Sequence, residues 1–438
     1  MASINKKITL LTGEGGPAKN VSVQEQFLRT LNACLLWEDN FYEDGESVAD
    51  RLKRLAKESV LIPGNTKWTV NAIYRARQSL GLRHAPLWAA IGLAEVKMLS
   101  KELVSSILMR PDDATELLAL YWKDGKKPLP KAIQKGLAAF FQTLDEYRLA
   151  KYGNREGSVA LRDVLFLSHA KPQSKAQEKL WKKFIDKKLE PADTWEVALS
   201  AGADKKETFE ALLAEEKLGT LALLRNLRNM IEAGVDEKIL AAGITSANPE
   251  RIFPYQILKA AQYAPRFEPE LEGLLFKCLA KYEKLAGKTV FLVDHSGSMS
   301  EAISSKSEMH RHDAAVALAV MLREVCENVV VYEFNNGATI VPPRHGFALA
   351  AAMGSPAGGT ELGQSLLGVF ANEPDLERLI VITDEQTADR LPALPNIHAY
   401  MVNVATEQNG VGYGGPWVHV NGFSQSLVEY ILGYEARA

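Results

Sequence analysis

The chain has 438 residues, of which 47% are apolar and 24% charged, with a formal net charge of −3. That length exceeds a single compact core, so two or more domains are expected. The composition excludes a disordered or fibrous chain, and no apolar run reaches the length of a membrane span. Residues 1–20, with "KITLLTGEGG", read as an extended lead-in without the long apolar core of a secretory leader. From about Ser22 to Leu285, apolar residues recur at three- and four-residue spacing, as in "LAEVKMLSKELVSSIL" and "TLALLRNLRNMIEAGV". Gly, Pro and Asn/Asp punctuation interrupts this pattern at "IPGN", "RPDD", "KDGKKPLP", "AKPQS" and "ANPE". Helices of this length with short connectors predict an antiparallel helical-repeat array with no strict sequence period.

After "LAGKT" the texture changes. Apolar, β-branched strands at Thr289–Val293, Val329–Phe334, Leu379–Thr383 and Ile397–Val404 alternate with helices at Ala314–Cys326 and Leu362–Ala371. Such alternation predicts a doubly wound parallel sheet. The expected domains are therefore 1–286, helical, and 287–438, α/β.

Charge follows the same division. From Gly287 onward there are 8 basic and 17 acidic residues, whereas Tyr121–Glu190 alone holds 16 basic and 8 acidic. The basic stretch fits either a nucleic-acid footprint or a solvated helical surface. Within it, Lys131 and Lys135 of "PKAIQKGLAAF" lie one helical turn apart on one face and are candidate phosphate contacts. Arg225 and Arg228 share a helix face too, suited to RNA or to holding neighbouring repeats together. Cys34, Cys278 and Cys326 are far apart and form no CxxC pair. They read as buried thiols in a reducing compartment, so a cytoplasmic protein is expected, with no membrane partner.

Three segments of the α/β part carry metal-binding chemistry: "VFLVDHSGSMS", "SPAGGTEL" and "LIVITDEQT". Asp294 and Asp384 each end a buried-type strand. Ser296 and Ser298 follow Asp294 at alternate positions, and Thr360 follows two glycines in a loop. The crevice beyond the carboxyl ends of parallel strands is where such sheets bind ligands. Two carboxylates and three hydroxyls form a hard, all-oxygen set that favours Mg²⁺, or Mn²⁺ or Ca²⁺, over zinc. His310, His312 and Asp313 form a second tight cluster, read as a helix N-terminus, with a second metal site as the alternative.

The three segments resemble the metal-ion-dependent adhesion site of a von Willebrand factor A domain. The resemblance implies that Ser296, Ser298 and Thr360 bind the ion directly, and that Asp294 and Asp384 bind directly or through water. One position stays open for a partner's carboxylate or for solvent. The phrases "WEDNFYEDG", "LFLSHAKP", "LGTLALLRNLRNM", "RIFPYQILKAAQYA", "PAGGT" and "ITDEQT" resemble the TROVE-domain proteins, the Ro autoantigen family, in collinear order along the chain. That resemblance implies a ring of HEAT-like repeats joined to an A domain. It implies binding of Y-type noncoding RNA and of the single-stranded 3′ ends of misfolded RNA. In bacteria it extends to association with an exoribonuclease. The family's basic residues carry over to Lys151, Arg155 and His169, with Lys171 in the same phrase. The spacing between "KY" and "LSH" is one residue longer here. A monomer acting by binding rather than catalysis is expected, because no catalytic constellation is legible. The rival reading is a metal-dependent protein-interaction scaffold with no RNA ligand. A metal-dependent hydrolase would need a general base and a positioned water, and neither is legible.

Overall fold

A computed structural model of the chain describes residues 15–16, 19–20, 22–32, 47–79, 81–153, 157–190, 204–252, 254–302, 309–405, 409–412, 415–421 and 426–435. Two compact units are present. One comprises described residues between 23 and 190, the other described residues 15–22 and those from 204 onward.

The first unit is helical throughout its described residues. Its helices are α1 (Val23–Asn32), α2 (Val48–Leu61), α3 (Thr66–Gln78), α4 (His84–Glu95), α5 (Lys101–Ile107), α6 (Pro111–Tyr121), α7 (Lys131–Phe141), α8 (Glu146–Gly153), α9 (Leu161–Ser168) and α10 (Lys175–Ile185). Each helix packs on the one two positions along: α2 on α4, α3 on α5, α5 on α7, α6 on α8 and α7 on α9. That is how stacked helical hairpins bury their stripes, and it answers the three- and four-residue periodicity directly. Helix α4, "HAPLWAAIGLAE", is buried from Ala85 to Ala94 because apolar residues surround it on every side.

The punctuation at "RPDD" is a polar lock. Asp113 at N3 of α6 accepts the N–H groups of Met109 (3.0 Å) and Arg110 (2.9 Å) through Oδ2. It also pairs with Arg77 Nη2 (2.6 Å) and Arg83 Nε (2.8 Å). Arg77 Nε in turn donates to the Ile107 carbonyl (2.9 Å). Burial opposes ionisation of Asp113, but Arg77, the two N–H groups and Arg83 outweigh it and hold the carboxyl below its usual range.

In the described residues of the second unit, five helices precede the sheet. The helices are α11 (Lys205–Ala214), α12 (Thr220–Glu232), α13 (Glu237–Ser246), α14 (Pro254–Tyr263) and α15 (Glu268–Leu279). They keep the same stacking, α11 on α13, α12 on α14 and α13 on α15. The change of texture read at 286–288 coincides with the first sheet strand, yet the compact units divide at residues 203/204. The cause is local packing: α14 and α15 lie against α16 (Arg311–Glu324), and α15 also against α17 (Gly346–Ala352).

The sheet is built from β2 (Leu285–Asp294), β3 (Cys326–Phe334), β4 (Ala338–Ile340), β5 (Arg378–Thr383), β6 (His398–Asn403) and β8 (Val418–Asn421), in the order β4-β3-β2-β5-β6-β8. Five strands are parallel. β4 is antiparallel, a hairpin return at Gly337 that the period of the sequence did not reveal, so the sheet is mixed. β2 and β5 pair Thr289 with Arg378 through Val293 with Ile382. Their continuous apolar runs suit strands covered on both faces. One face packs on α18 (Leu362–Asn372), with Val290, Leu292, Leu366, Val369, Leu379 and Val381 in the core. α16 is buried from Ala314 to Leu322. The chain leaves β2 toward β3 and then crosses back to β5, so β2 and β5 flank the switch point of the winding.

The lead-in is partly described. β1 (Lys19–Asn20) pairs antiparallel with β7 (Asn409–Gly410). Gly16 is buried so closely that a Cβ there would stand 2.2 Å from the Thr387 carbonyl oxygen. α19 (Ser426–Glu435) is tied back through Glu435 to Arg378 (2.5 Å) and Tyr400 (2.8 Å). Cys278 and Cys326 are free and buried as expected, while Cys34 lies outside the described residues. Among the described residues, no helix is long and apolar enough to cross a membrane.

Candidate metal centre and nucleic-acid interface

The two strands that flank the switch point deliver the two carboxylates. Asp294 ends β2 and Asp384 follows β5; both are fully buried. The same turn leaves each strand. Asp294 Oδ1 accepts the Ser296 N–H (2.9 Å), and Asp384 Oδ1 accepts the Gln386 N–H (3.0 Å). A carboxylate that caps the backbone two residues on holds its own rotamer. Thr383 Oγ1 donates to Asp294 Oδ2 (2.5 Å), linking the strand ends. Ser296 and Ser298 place their hydroxyl oxygens 3.2 Å apart. Their loop meets the Thr360 loop through Gly297 N–H to the Gly358 carbonyl (3.1 Å), where Gly358 has φ +85°. The Thr360 carbonyl accepts from the Ala388 N–H and from Thr387 Oγ1, both at 2.8 Å. Thus the three segments that hold Asp294, Ser296, Ser298, Thr360 and Asp384 converge on one sheet edge.

That edge crowds two buried carboxylates. Burial raises the Asp294 carboxyl above its usual range, against the Ser296 and Thr383 hydroxyls, the Ser296 N–H and His295, which favour ionisation. A cation beside it would relieve that cost. Among the described residues, no group of three or more His, Cys, Asp or Glu is arranged to hold a metal ion. Binding at this edge would have to use hydroxyl oxygens, which is what the donor set offers. A bound divalent ion would supply positive charge and an open coordination position there.

Three residues of this edge escaped sequence reasoning. Arg311, at the start of α16, pairs with Asp384 Oδ2 (3.2 Å) and Glu301 (2.7 Å). Thr383 is the hydroxyl noted above. Glu385 is fully buried with φ 63°. It accepts from Asn403 Nδ2 (2.6 Å) and the Gly412 N–H (3.1 Å), and meets His419 Nε2 at 2.5 Å. These contacts hold the strained turn after Asp384 to β6 and β8. "DEQT" put Glu385 beside Asp384 in the sequence, but no spacing revealed the partners.

The His310/His312/Asp313 cluster is a helix N-terminus. The Asp313 carboxylate accepts the His310 N–H (2.8 Å). His312 Nε2 lies 3.1 Å from His295 Nδ1. Burial, aided by His295, pulls the His312 pKa down to about 4.

The basic candidates between 121 and 190 sit on the surface of the first unit. Lys131 and Lys135 are exposed on α7. Gln134 Nε2, between them, donates to the Leu167 carbonyl at the end of α9 (3.1 Å). His169 caps α9 in the left-handed conformation, φ 52°, and is exposed rather than packed. Lys171 is exposed, and its carbonyl accepts Gln142 Nε2 of the segment after α7 (2.8 Å). Lys131, Lys135, His169 and Lys171 are therefore on adjoining elements. Lys151 lies apart on α8, half-buried, with its Nζ over the Tyr147 ring at 5.9 Å. Arg155 lies outside the described residues. Arg225 is exposed on α12, and Arg228 pairs with Glu232 (2.8 Å).

A stack of helical hairpins joined to helices and a six-stranded doubly wound sheet defines the class of protein. Residues 186–272 match the family model of the TROVE domain. Over 92% of this chain and 97% of the other, the structure is similar to the crystal structure of the Deinococcus radiodurans Ro (RSR) protein, with a TM-score of 0.59 and 18% sequence identity. Comparison with curated proteins finds no matching relative. The family match is confined to residues 186–272, and the structural likeness shows a Ro-type fold. The basic candidates of α7 to α10 lie before the matched segment and the sheet edge after it.

Proposed function

We propose that this chain is a Ro-like protein that binds noncoding RNA. It would hold Y-type RNA or the single-stranded 3′ ends of misfolded RNA and serve RNA quality control or a nuclease scaffold in the cytoplasm. The observation that carries the reading is the exposed basic group of Lys131, Lys135, His169 and Lys171 on elements tied together by Gln134 and Gln142. It stands in a chain with a TROVE match and a Ro-type fold. Lysines would neutralise phosphates, giving salt-dependent, sequence-tolerant affinity. Filter binding with matched single-stranded, 3′-tailed and blunt duplex RNA tests it. Preference for the free single strand is expected; equal affinity for all three would refute selection of 3′ ends.

The α/β edge supports a second, compatible reading, that of a von Willebrand factor A metal site. Asp294, Ser296, Ser298, Thr360 and Asp384 would hold Mg²⁺, or Mn²⁺ or Ca²⁺, and leave a position for a partner's carboxylate. If that were the whole function, the protein would be a scaffold without RNA. Protein purified without nuclease treatment discriminates the two: RNA-derived absorbance at 260 nm supports the RNA reading, and its absence supports the scaffold.

A further inference from the structure

Phe166 occupies a surface position that no packing requirement explains. On α9, Leu161, Val164, Leu165 and Ser168 form the buried face, and Phe166 stands on the opposite face, 54% exposed. A single exposed aromatic is unremarkable by itself. Its neighbours distinguish this one. Arg162, exposed, is one turn earlier on the same face, and His169 is three residues later. The left-handed cap at His169 turns the chain so that Lys171 follows on the adjoining loop. Gln134 fastens the carbonyl of Leu167 to α7, between Lys131 and Lys135. Tyr147, also exposed, has a lysine over its ring, whereas among the described residues no cation covers Phe166. Phe166 is thus an exposed ring on a helix face that also carries the exposed Arg162 one turn earlier, with the exposed His169 and Lys171 following in the chain.

We infer that Phe166 is a stacking platform for an unpaired base of single-stranded RNA, with the surrounding cations holding the flanking phosphates. The inference rests on the RNA-binding reading above and extends it from phosphate contact to base contact. Stacking on an aromatic ring tolerates any base and needs a base that is out of a duplex. The platform would therefore favour free ends over blunt duplex without reading sequence, which charge alone would not do.

The experiment compares wild type, Phe166→Ala, Phe166→Leu and Phe166→Tyr in the full chain, titrated with a uridine-tailed hairpin RNA and with the same hairpin carrying an abasic tail. Phe166→Ala and Phe166→Leu should each lose about tenfold in affinity for the uridine tail. Phe166→Tyr should retain it. All four should bind the abasic tail alike. The salt slope should stay unchanged in every variant, because stacking releases no counterions. A 5-iodouridine tail should crosslink to the peptide that contains Phe166. Equal affinity of Phe166→Ala and wild type for the uridine tail overturns the platform while leaving phosphate binding in place. Failure of the wild type to bind either RNA overturns the RNA reading itself. A change in oligomeric state of Phe166→Ala, with RNA affinity intact, would assign the ring to a protein contact instead.

Discussion

The acidic sheet edge and the basic helical surface gather their chemistry by different means. At the sheet edge the winding does the work. Residues 294, 360 and 384 are distant in sequence, but parallel strands bring every loop at their carboxyl ends to one side. The carboxylates there are buried and held by backbone N–H groups, so their positions are defined to within a hydrogen bond. On the helical unit the side chains are exposed lysines with many rotamers, and only their helices are fixed. Under the proposed function, one region would hold a small ion that demands geometry, and the other a flexible polyanion that demands charge. The two should therefore be separable by mutation, and the fold of each should depend on different buried groups.

The largest effect is expected from the lock of the helical unit. Asp113→Asn leaves Arg77 buried without its carboxylate, and breaking a buried pair costs about 3–5 kcal/mol. Because the folded Asp113 carboxyl lies below its usual range, its contribution is complete above that range. It is lost as pH falls through the folded value. Chemical denaturation across acid pH should show this loss in wild type and a flatter acid limb in Asp113→Asn. An unchanged denaturation midpoint at neutral pH would remove Asp113 from the stability argument.

Next comes the metal edge. Asp294→Ala should lower Mn²⁺ or Mg²⁺ affinity by more than about a hundredfold, since even outer partners of metal ligands are worth 10–100-fold. RNA affinity should stay within about threefold, roughly 0.65 kcal/mol. Calorimetric titration of both ligands on one preparation decides it. Lost RNA binding in a folded Asp294→Ala protein would join the two regions that are separated here.

Much of the fold was legible because it depends on repeating local signals. The helices obeyed the three- and four-residue period, and the strands at 289–293, 329–334, 379–383 and 397–404 fall inside observed strands or within one residue of them. Strand ends with Asp, followed by Ser-x-Ser or a Gly-Gly-Thr loop, are local signals too, so the convergence of these three segments on one edge could be expected in advance. What could not be read were pairings across distance. Nothing in the sequence couples Arg311 to Asp384, Glu385 to Asn403 and His419, or Asp113 to Arg77, because each is a single side-chain contact between separate elements. The compact-unit division at 203/204 was illegible for the same reason: α14 and α15 have the same period as earlier helices and differ only in what they pack against. The sequence does not single out Phe166, because a periodic pattern says that a face is exposed, not what an apolar residue on it does.

A smaller effect is expected on the basic surface. Lys131→Glu with Lys135→Glu should weaken single-stranded RNA binding on the order of tenfold and lower the salt slope by roughly 0.7 per lost phosphate contact. Stability should change by less than about 0.5 kcal/mol, since both side chains are exposed. Filter binding across a salt series reads both quantities. A full slope in the folded double variant would put the phosphate contacts on another surface, and metal affinity should be untouched in either case.

The smallest effect sharpens the comparison most, because it concerns a cation inside the acidic region. Arg311 Nη1 sits 3.2 Å from Asp384 Oδ2 and Nη2 sits 2.7 Å from Glu301. Two effects compete there. The guanidinium helps to orient Asp384, and it also occupies a carboxylate oxygen and repels an incoming cation. Orientation is already supplied by the Gln386 N–H on Oδ1 and by the end of β5, so repulsion should dominate. A guanidinium at a partly solvated site acts at an effective dielectric near 20 or above, which limits the gain from its removal to about 1 kcal/mol. Arg311→Gln should therefore raise Mn²⁺ affinity by roughly threefold to fivefold, while Arg311→Lys, which keeps the charge, should change it little. Calorimetric titration of wild type and both variants measures the difference. If Arg311→Gln weakens Mn²⁺ binding instead, the arginine is needed to hold Asp384 in place, and the acidic edge relies on its own cation as the helical unit relies on Arg77.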